Sequence, residues 1–447
     1  MKRTYRYHPL YSSIAKALEP PEEDPTVRAD QEEDHSGDLL DRGVKRLEWA
    51  RDHMPVLAGV RERLKEEGIL DGVRVGMALH VEAKTGLLAL SLEEAGAQVR
   101  LASCNPLSTD DSVSIALREH HGLATYACRG ESEKEYYANL DSVLDLSPQV
   151  VVDDGGDLVT ILHTRRTDLL EGIWGGCEET TTGVVRLKAM EREGALRYPV
   201  IDVNDALMKH LFDNRYGTGQ STLDGIMTAT NLLLAGRLMV VAGYGWCGRG
   251  IAMRARGMGA RVTVTEVDPV RATEALLDGM DVAPMTEAIR DADFLVTVTG
   301  VTSVVRPEHF RIAKDGIVVA NAGHFDVELD LEGLAAISAE VRNVRDDVTR
   351  YVLEDGSRVD VLADGRLVNL AAGQGHPVEI MDMSFALQAL SVAHIVENRG
   401  KLRPGVHPVP KELDQEVAWA ALRSMGVSID SLTEAQSEYI DSWKEGT

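Results

Sequence analysis

The sequence has few cysteines, few aromatic residues and no long apolar run, and two of these shortages exclude whole classes of protein. Only four cysteines occur in 447 residues, and none stands in a CxxC or CxxH spacing; they are Cys104, Cys128, Cys177 and Cys247. We therefore expect reduced, mostly buried thiols and no metal site. No uninterrupted apolar stretch approaches the ~20 residues that a membrane span needs, and no signal-peptide core follows the basic start. We expect a cytoplasmic protein without a membrane partner.

Basic residues are also scarce. Lys and Arg number 47 against 72 Asp and Glu, which gives a formal charge of −25. Because this charge repels phosphate backbones and the sequence has no basic patch, we expect no nucleic-acid partner. Ten acidic residues and one basic residue stand between Glu19 and Asp41, interrupted by three prolines. We interpret residues 1–41 as a flexible acidic leader.

After the leader, short apolar runs alternate with helical stretches. The first series of runs includes residues 73–79, 98–102 and 149–153, and a second series begins at 237–242. Strands that alternate with helices indicate parallel sheets with helices on both faces. The sequence therefore predicts an α/β protein with two doubly wound parallel-sheet domains, the second of them a Rossmann domain, followed by a C-terminal helical segment.

A glycine-rich turn follows the run at 237–242. Gly243, Gly245 and Gly248 form a GxGxxG pattern, a helical stretch follows, and Glu266 ends the next strand about 20 residues on, as a dinucleotide-binding fold requires. The glycines allow a pyrophosphate to approach the helix N-terminus. Glu266 should accept from the ribose hydroxyls and repel a 2′-phosphate, which favours NAD over NADP; a solvated strand-end acid is its simpler alternative.

Polar side chains follow several apolar runs, at the end of a strand where α/β domains bind their ligands. They are His80, Asp154, the group of Glu179 with Thr180, Thr181 and Thr182, the group of Lys209 with Asp213 and Asn214, and His324. Each has an ordinary structural interpretation, since strand-end aspartates cap helices and a lone lysine is usually solvated. Together with the glycine-rich turn, they predict an NAD enzyme with an Asp/Lys/His site between the two domains.

Nine strings in a fixed order carry a resemblance to one family: HVEAKTG, SCNPLSTDD, VDDGGDL, GGCEETTTGV, KHLFDNRYGTGQS, GYGWCGRG, TEVDP, NAGHFD and GRLVNLAAGQGHP. From Trp49 onward the chain resembles S-adenosylhomocysteine hydrolase. The resemblance implies reversible hydrolysis of S-adenosyl-L-homocysteine to adenosine and L-homocysteine, a reaction of the methyl cycle. The implied steps are NAD-dependent 3′-oxidation, elimination, water addition and re-reduction. It also implies a homo-oligomer, usually a tetramer.

The resemblance assigns roles to particular residues. The implied catalytic residues are His80, Asp154, Glu179, Lys209, Asp213 and His324. The implied substrate-binding residues are Glu82, Lys84, Asp154, Glu179, Asn204, Lys209, Asp213 and His376. The implied cofactor-binding residues are Thr180, Thr181, Thr182, Asn214, Gly243, Gly245, Trp246, Cys247, Gly248, Arg249, Gly250, Glu266, Ala322, Gly323, His324, Asn369 and His376. Lys209 is expected to act as the base of the oxidation if burial or neighbouring charge lowers its pKa.

The chain departs from the commonest form of the family where the purine is read. Glu82 and Lys84 replace a Thr and a Glu, and Gln374 replaces a Met. A lysine donor suits an oxygen at the purine 6-position as well as a ring nitrogen, so S-inosyl-L-homocysteine is an alternative substrate. The chain also ends at Thr447 without the Lys- and Tyr-bearing tail of many relatives. We therefore expect a looser hold on NAD.

Two other functions stay open on sequence grounds, namely a conventional NAD dehydrogenase and a catalytically silent NAD- or nucleoside-binding regulator. Retention of the six catalytic positions argues against the regulator. We expect four regions: the leader at 1–41, a substrate-binding domain at 42–215 plus 378–425, a Rossmann NAD-binding domain at 216–377, and an oligomerisation segment at 426–447.

Overall fold

Two β-sheets, formed one after the other along the chain, organise the molecule. The computed structural model describes the backbone of residues 25–443 and the side chains of residues 37–443. The strands of the first sheet are β1 (Arg74–Ala78), β2 (Gln98–Ala102), β3 (Ala124–Tyr126), β4 (Val150–Asp153), β5 (Gly175–Glu178), β6 (Pro199–Asp202) and β15 (Gly405–Pro408). All are parallel and lie in the order β15-β6-β5-β4-β1-β2-β3.

The second sheet has eight strands. They are β7 (Leu238–Ala242), β8 (Arg261–Thr265), β9 (Asp281–Val282), β10 (Phe294–Thr297), β11 (Ile317–Asn321), β12 (Ser338–Arg345), β13 (Val348–Leu353) and β14 (Arg358–Leu362). Their order is β12-β13-β14-β11-β10-β7-β8-β9. The prediction of two α/β domains is confirmed, but β12, β13 and β14 pair antiparallel and make this sheet mixed. Only residues 346–347 separate β12 from β13, and so short a connection permits a hairpin but not a parallel crossover.

Helices cover both faces of each sheet. In the first half of the chain they are α1 (Pro25–Asp52), α2 (Pro55–Glu67), α3 (Ala83–Glu94), α4 (Asp111–Glu119), α5 (Glu133–Leu144), α6 (Asp157–Thr164), α7 (Thr181–Arg192), α8 (Leu207–Lys209) and α9 (Thr218–Thr230). In the second half they are α10 (Trp246–Gly257), α11 (Pro269–Leu277), α12 (Met285–Ala288), α13 (Pro307–Phe310), α14 (Leu331–Ala336), α15 (Val368–Ala371), α16 (Val378–Glu397), α17 (Lys411–Ser424) and α18 (Glu434–Asp441). Short 3₁₀ turns span Thr167–Gly172 and Ala363–Gly365, and a π-helical turn spans His210–Gly217.

Alternate residues of the central strands pack on opposite faces, as a doubly wound sheet requires. In β4, Val150 and Val152 belong to one core cluster and Val151 to another. In β7, Met239 and Val240 are likewise divided between two clusters. Each sheet therefore lies between two apolar layers.

The helix α1 overlaps the segment expected as a flexible leader. The structure corrects that expectation for residues 25–41, which belong to this helix; residues 1–24 lie outside the described part. Leu40, Val44 and Leu47 recur at helical spacing and pack on the core of the first sheet. Because helix formation is cooperative, this anchored apolar face supports the acidic turns before it.

The long helix α16 brings the chain back to the first sheet. Its Asp382 accepts hydrogen bonds from Val56 N (2.9 Å) and Leu57 N (2.7 Å), the second and third residues of α2. The strand β15 then pairs with β6. In length and hydropathy α16 would also suit a membrane span, but 78% of its apolar window is buried inside the protein. We therefore interpret α16 as a core helix of the first domain.

Candidate active site

A cavity of about 1650 Å³ lies between the carboxyl ends of the two sheets. Its walls come from residues that follow β1, β4, β5 and β6 on one side and β7, β8, β10 and β11 on the other. All six residues expected to be catalytic line it: His80, Asp154, Glu179, Lys209, Asp213 and His324. The structure thus brings together side chains spread over 245 positions of the chain, since His80 and His324 are the outermost.

Lys209 lies at the centre of a buried polar group. Its Nζ is 3.0 Å from Asp213 Oδ2, 3.3 Å from Glu179 Oε1 and 2.8 Å from Asn214 Oδ1. The π-helical turn at His210–Gly217 starts directly after it. An i to i+5 repeat places Asn214 beside Lys209 in addition to the i+4 partner Asp213. The local backbone therefore builds three of the four members of the group.

The charges of this group reverse the expected pKa shift of Lys209. Burial lowers the pKa of Lys209, but Asp213 and Glu179 outweigh it and raise that pKa. Burial raises the pKa of Glu179 to about 8, although Lys209 opposes the rise. Burial opposes ionisation of Asp213 as well, yet Lys209 and His376 hold the pKa of Asp213 below its usual range. The condition under which Lys209 would act as a base, a lowered pKa, is therefore not met, and the lysine is a cation at neutral pH.

A second group surrounds Asp154, which follows β4. Its Oδ2 lies 3.5 Å from His80 Nε2, and its Oδ1 lies 3.6 Å from His324 Nδ1. Burial lowers the pKa of His80 to about 4, with Asp154 opposing, so this imidazole is neutral at pH 7. Within the described residues, Asp154 Oδ1 and His324 Nε2 make no hydrogen bond. Buried polar atoms without partners are unusual and point to a bound ligand.

The other ring nitrogen of His80 contacts two further side chains. Its Nδ1 lies 2.7 Å from Ser108 Oγ and 3.3 Å from Cys104 Sγ. His80, Cys104 and Asp154 each offer a ligating atom, and these atoms lie within 4.8 Å of one another. The three residues are far apart in the sequence, so no metal-ligand spacing could have predicted this cluster. The absence of a metal stays a prediction.

Asn204 and His376 connect the lysine group to both domains. Asn204 Oδ1 accepts from Asn214 Nδ2 (3.0 Å) and from Thr181 Oγ1 (3.2 Å). His376 follows the second sheet, and its Nδ1 makes a short contact with Asp213 Oδ1. His376, expected to bind substrate and cofactor, is thus in direct contact with the acid–base group.

The glycine-rich turn joins β7 to α10 as expected. Glu266 accepts from the backbone N–H groups of Tyr244 (2.7 Å), Val267 (2.7 Å) and Asp268 (3.1 Å), so its carboxylate lies beside the turn. No side chain caps the N-terminus of α10 at Gly245, which lines the cavity. Free N–H groups at a helix start fit a pyrophosphate. The donor set therefore suits a dinucleotide.

Most of the expected cofactor residues line the cavity. They are Thr180, Thr181, Thr182, Asn214, Gly243, Gly245, Trp246, Cys247, Arg249, Glu266, Ala322, Gly323, His324, Asn369 and His376. Gly248 and Gly250 do not. A Cβ on Gly248 would overlap Gly243 O, and one on Gly250 would overlap Arg215 O. Both glycines allow close packing of the turn and of α10, and their assignment to the cofactor stays a prediction.

Glu82 and Lys84 form the wall next to the start of α3. Glu82 caps that helix by accepting from Lys84 N (3.1 Å) and Thr85 N (3.2 Å). Lys84 Nζ lies 2.8 Å from Glu82 Oε2 and donates to Gln374 O (3.1 Å). Gln374 therefore reaches this wall through its carbonyl oxygen. The cavity has an adjacent acceptor and donor here.

Sequence reasoning missed several wall residues. Thr299 follows β10, beside β7, and the polar end of that strand was a usable signal. Met381 and Phe385 come from α16, as does Gln388, whose amide donates to Glu179 Oε2. Nothing local in this apolar helix marks those positions as part of a site.

The comparison with known proteins agrees with this geometry. Two family models match: S-adenosyl-L-homocysteine hydrolase over residues 36–170 and its NAD-binding domain over residues 214–375. The chain belongs to the S-adenosyl-L-homocysteine hydrolase family. It is 59% identical over 406 residues to the adenosylhomocysteinase of Thermoplasma acidophilum, covering 91% of this chain and 99% of that one. It is 54% identical over 409 residues to the S-inosyl-L-homocysteine hydrolase of Methanocaldococcus jannaschii, covering 92% and 98%.

This S-adenosyl-L-homocysteine hydrolase family member is an enzyme of the hydrolase class with NAD as its cofactor. The conventional dehydrogenase and the silent regulator, both open on sequence grounds, do not describe it. The Rossmann assignment of the second sheet is confirmed by the match to the NAD-binding domain.

Proposed function

We propose that the enzyme hydrolyses S-adenosyl-L-homocysteine reversibly to adenosine and L-homocysteine. The observation that carries the proposal is that two separate acid–base groups and an uncapped helix start face one cavity. Bound NAD would supply hydride transfer to and from the ribose 3′-carbon, held by the turn at Gly243–Gly245 and by Glu266. The thioether chemistry then depends on this chain's own residues.

The group of Lys209, Asp213 and Glu179 is assigned to the ribose 3′-oxygen. Because the pKa of Lys209 is raised, its Nζ acts as a cation that stabilises an alkoxide or ketone oxygen. The proton of the 3′-hydroxyl then passes to the Glu179 carboxylate, whose pKa of about 8 makes it a better acceptor than Asp213, whose pKa is lowered. Asn204 and Asn214 hold this group in place from the other side. Lys209 thus takes part in the oxidation as an electrostatic partner, and not as a free amine.

The group of Asp154, His80 and His324 is assigned to the 4′ and 5′ carbons. A 3′-ketone acidifies the 4′-hydrogen, and the unpartnered Asp154 Oδ1 is an acceptor for that proton. The C5′–S bond breaks as the C4′–C5′ double bond forms, and the sulfur takes up the proton that Asp154 removed from C4′ and leaves as a thiol. Water then adds at C5′; neutral His80 is suited to receive its proton and to return it to C4′.

The pair Glu82–Lys84 is assigned to the purine edge. Adenine presents an amino donor at position 6 and an acceptor at N1, whereas hypoxanthine presents an oxygen and an N–H. An adjacent carboxylate and ammonium satisfy either base, in opposite order. We favour adenine because the adenosylhomocysteinases of two Thermoplasma species are 59% identical, against 54–56% for relatives named S-inosyl-L-homocysteine hydrolase. Hypoxanthine is the second candidate, because Lys84 is a donor that could bind its oxygen at position 6.

Parallel assays of S-adenosyl- and S-inosyl-L-homocysteine test the proposal. With NAD added, thiol release should show a kcat/KM at least about tenfold higher for the adenosyl compound, which requires the matched hydrogen-bond pair to contribute about 1.4 kcal/mol. Lys84→Met should shrink that ratio while leaving thiol release detectable. A preference for the inosyl compound would overturn the adenine assignment. Release of thiol from neither compound would overturn the hydrolase proposal itself.

The proposal extends to domains, assembly and location. We assign residues 42–215 plus 378–425 to substrate binding and 216–377 to NAD binding; the pairing of β15 with β6 supports the split first unit. We assign residues 426–447 to oligomerisation, in a homotetramer located in the cytoplasm. Support comes from exposed apolar side chains in this segment, Val427, Ile429, Leu432, Ile440 and Trp443. Such a concentration of apolar surface is typical of an interface.

A further inference from the structure

Two fully buried carboxyl groups stand directly behind the catalytic acids. Asp153 and Glu178 precede Asp154 and Glu179, end β4 and β5, and are paired in register across the sheet. Both are 0% exposed. The reaction as assigned above uses neither of them. Two carboxyl groups are costly to bury in adjacent positions, so they call for an explanation.

Glu178 holds together the two segments that carry the site. Its Oε1 accepts from Gly155 N (2.8 Å), from Thr180 N (3.0 Å) and from Thr180 Oγ1 (3.0 Å). Gly155 directly follows Asp154, and Thr180 begins the threonine run on the nicotinamide side. One oxygen atom therefore sets the distance between the acid at the 4′-carbon and the start of α7.

The same link extends to the second domain. Gly155 has a φ of +102°, and a Cβ there would lie 2.6 Å from His324 Nε2. His324 thus rests on the backbone that Glu178 holds. Arg186 of α7 donates to Gly155 O (2.5 Å) and Asp157 Oδ1 (2.8 Å), which fixes the loop from its other side. The position of His324 therefore depends on the contacts that Glu178 and Arg186 make with Gly155.

A glycine in α7 makes room for this carboxyl group. A Cβ built on Gly183 would overlap the carboxyl group of Glu178. Burial, and then Asp153, raise the pKa of Glu178 well above its usual range. A glutamine has the same shape as this side chain and keeps an acceptor oxygen at the Oε1 position.

We propose that Glu178 is a positioning residue of this enzyme, which fixes Asp154, the turn at Thr180–Thr182 and the seat of His324 relative to one another. The inference rests on the proposed function for its kinetic consequence, but not for its structural one. Loss of the carboxyl group frees the loop at Gly155 and the start of α7 together. Misplacement by about 1 Å at a reacting centre lowers the rate by about 10²-fold.

The test compares four variants of the NAD-loaded full chain with the wild type. Glu178→Gln should keep kcat within about threefold, since it preserves all three acceptor contacts. Glu178→Ala should lower kcat by about 10²-fold with little change in KM. Gly183→Ala should cause a similar loss by displacing the intact carboxyl group. The double variant should be no worse than Glu178→Ala alone, because residues that act through one contact are not additive.

Hydrogen exchange supplies a readout that needs no activity. The backbone amides of residues 154–159 and 179–184 should exchange faster in Glu178→Ala and Gly183→Ala, and as in the wild type in Glu178→Gln. Three results would overturn the proposal. The first is a double variant whose loss of kcat is the sum of the two single losses, and the second is a loss of kcat in Glu178→Gln equal to that in Glu178→Ala. The third is an unchanged rate of amide exchange in Glu178→Ala. If the wild type releases no thiol, the proposed function fails while the exchange pattern still decides the role of Glu178.

Discussion

Replacing Lys209 with methionine is the perturbation whose effect follows most directly from the structure. The lysine Nζ lies 3.0 Å from Asp213 Oδ2 and 3.3 Å from Glu179 Oε1. The two carboxyl groups are only 2% and 5% exposed. Methionine fills a similar volume but removes the one cation that both carboxyl groups contact in the described structure. The variant therefore leaves a buried negative charge without its lysine partner.

The magnitude follows from the energy of a broken buried ion pair. Removal of one partner costs about 3–5 kcal/mol. Because each 1.36 kcal/mol is a factor of ten in rate, a loss of this size in the transition state lowers kcat by about 10²–10⁴-fold. Burial already raises the pKa of Glu179 to about 8 against the opposing effect of Lys209. Without the lysine, that pKa rises further and the group keeps its proton.

The assay is thiol release under saturating S-adenosyl-L-homocysteine, with NAD binding measured separately. Lys188 is a matched control, since its Nζ also lies between two carboxylates, 3.1 Å from Asp205 and 3.3 Å from Asp202. Lys188 is 48% exposed and is not among the residues that line the cavity, so its loss leaves the reacting groups in place. Lys209→Met should bind NAD but lose turnover, and Lys188→Met should keep it. Turnover of Lys209→Met within about tenfold of wild type would refute the reasoning.

Two further predictions concern pH and assembly. Burial lowers the pKa of His80 to about 4 in the folded enzyme, against about 6.5 unfolded, so the unfolded state binds more protons between these values and stability is lost as pH falls. Urea unfolding should show the wild type losing about 2 kcal/mol more than His80→Gln between pH 7 and 5, and equal losses would contradict the shift. Removal of residues 426–447 should dissociate the oligomer in light scattering, and an unchanged mass would contradict the assignment of that segment.

The parts of the fold that depend on local pattern could be predicted from the sequence. The strand at 238–242, the turn at Gly243–Gly245 and Glu266 lie within one βαβ unit, so their spacing alone carries the dinucleotide site. The strand-end residues Asp154 and His324 were also marked by position. The hairpin of β12 and β13 was missed because its strands give no pattern distinct from that of parallel ones.

The parts that depend on long-range packing could not be predicted. Burial lowers the pKa of Lys209, Asp213 four residues later raises it most, and Glu179, 30 residues earlier in the sequence, adds to the rise. Only the contribution of Asp213 comes from the local backbone. The close approach of Gly250 to Arg215 O joins residues 35 positions apart, so no local pattern predicts it. The helix α1 begins in an acidic segment because its apolar face farther along finds a core. The pKa, the glycine packing and the start of the helix each depend on the neighbours of a residue in the folded structure.

The number of thiols released per bound NAD tests the central claim most directly. In the proposed reaction the hydride removed in the first step returns in the last, so NAD acts as a catalyst. Purified enzyme with a limiting amount of NAD should release many equivalents of homocysteine from S-adenosyl-L-homocysteine without accumulation of NADH. Accumulation of NADH in step with product, and arrest when the NAD is used up, would contradict the account.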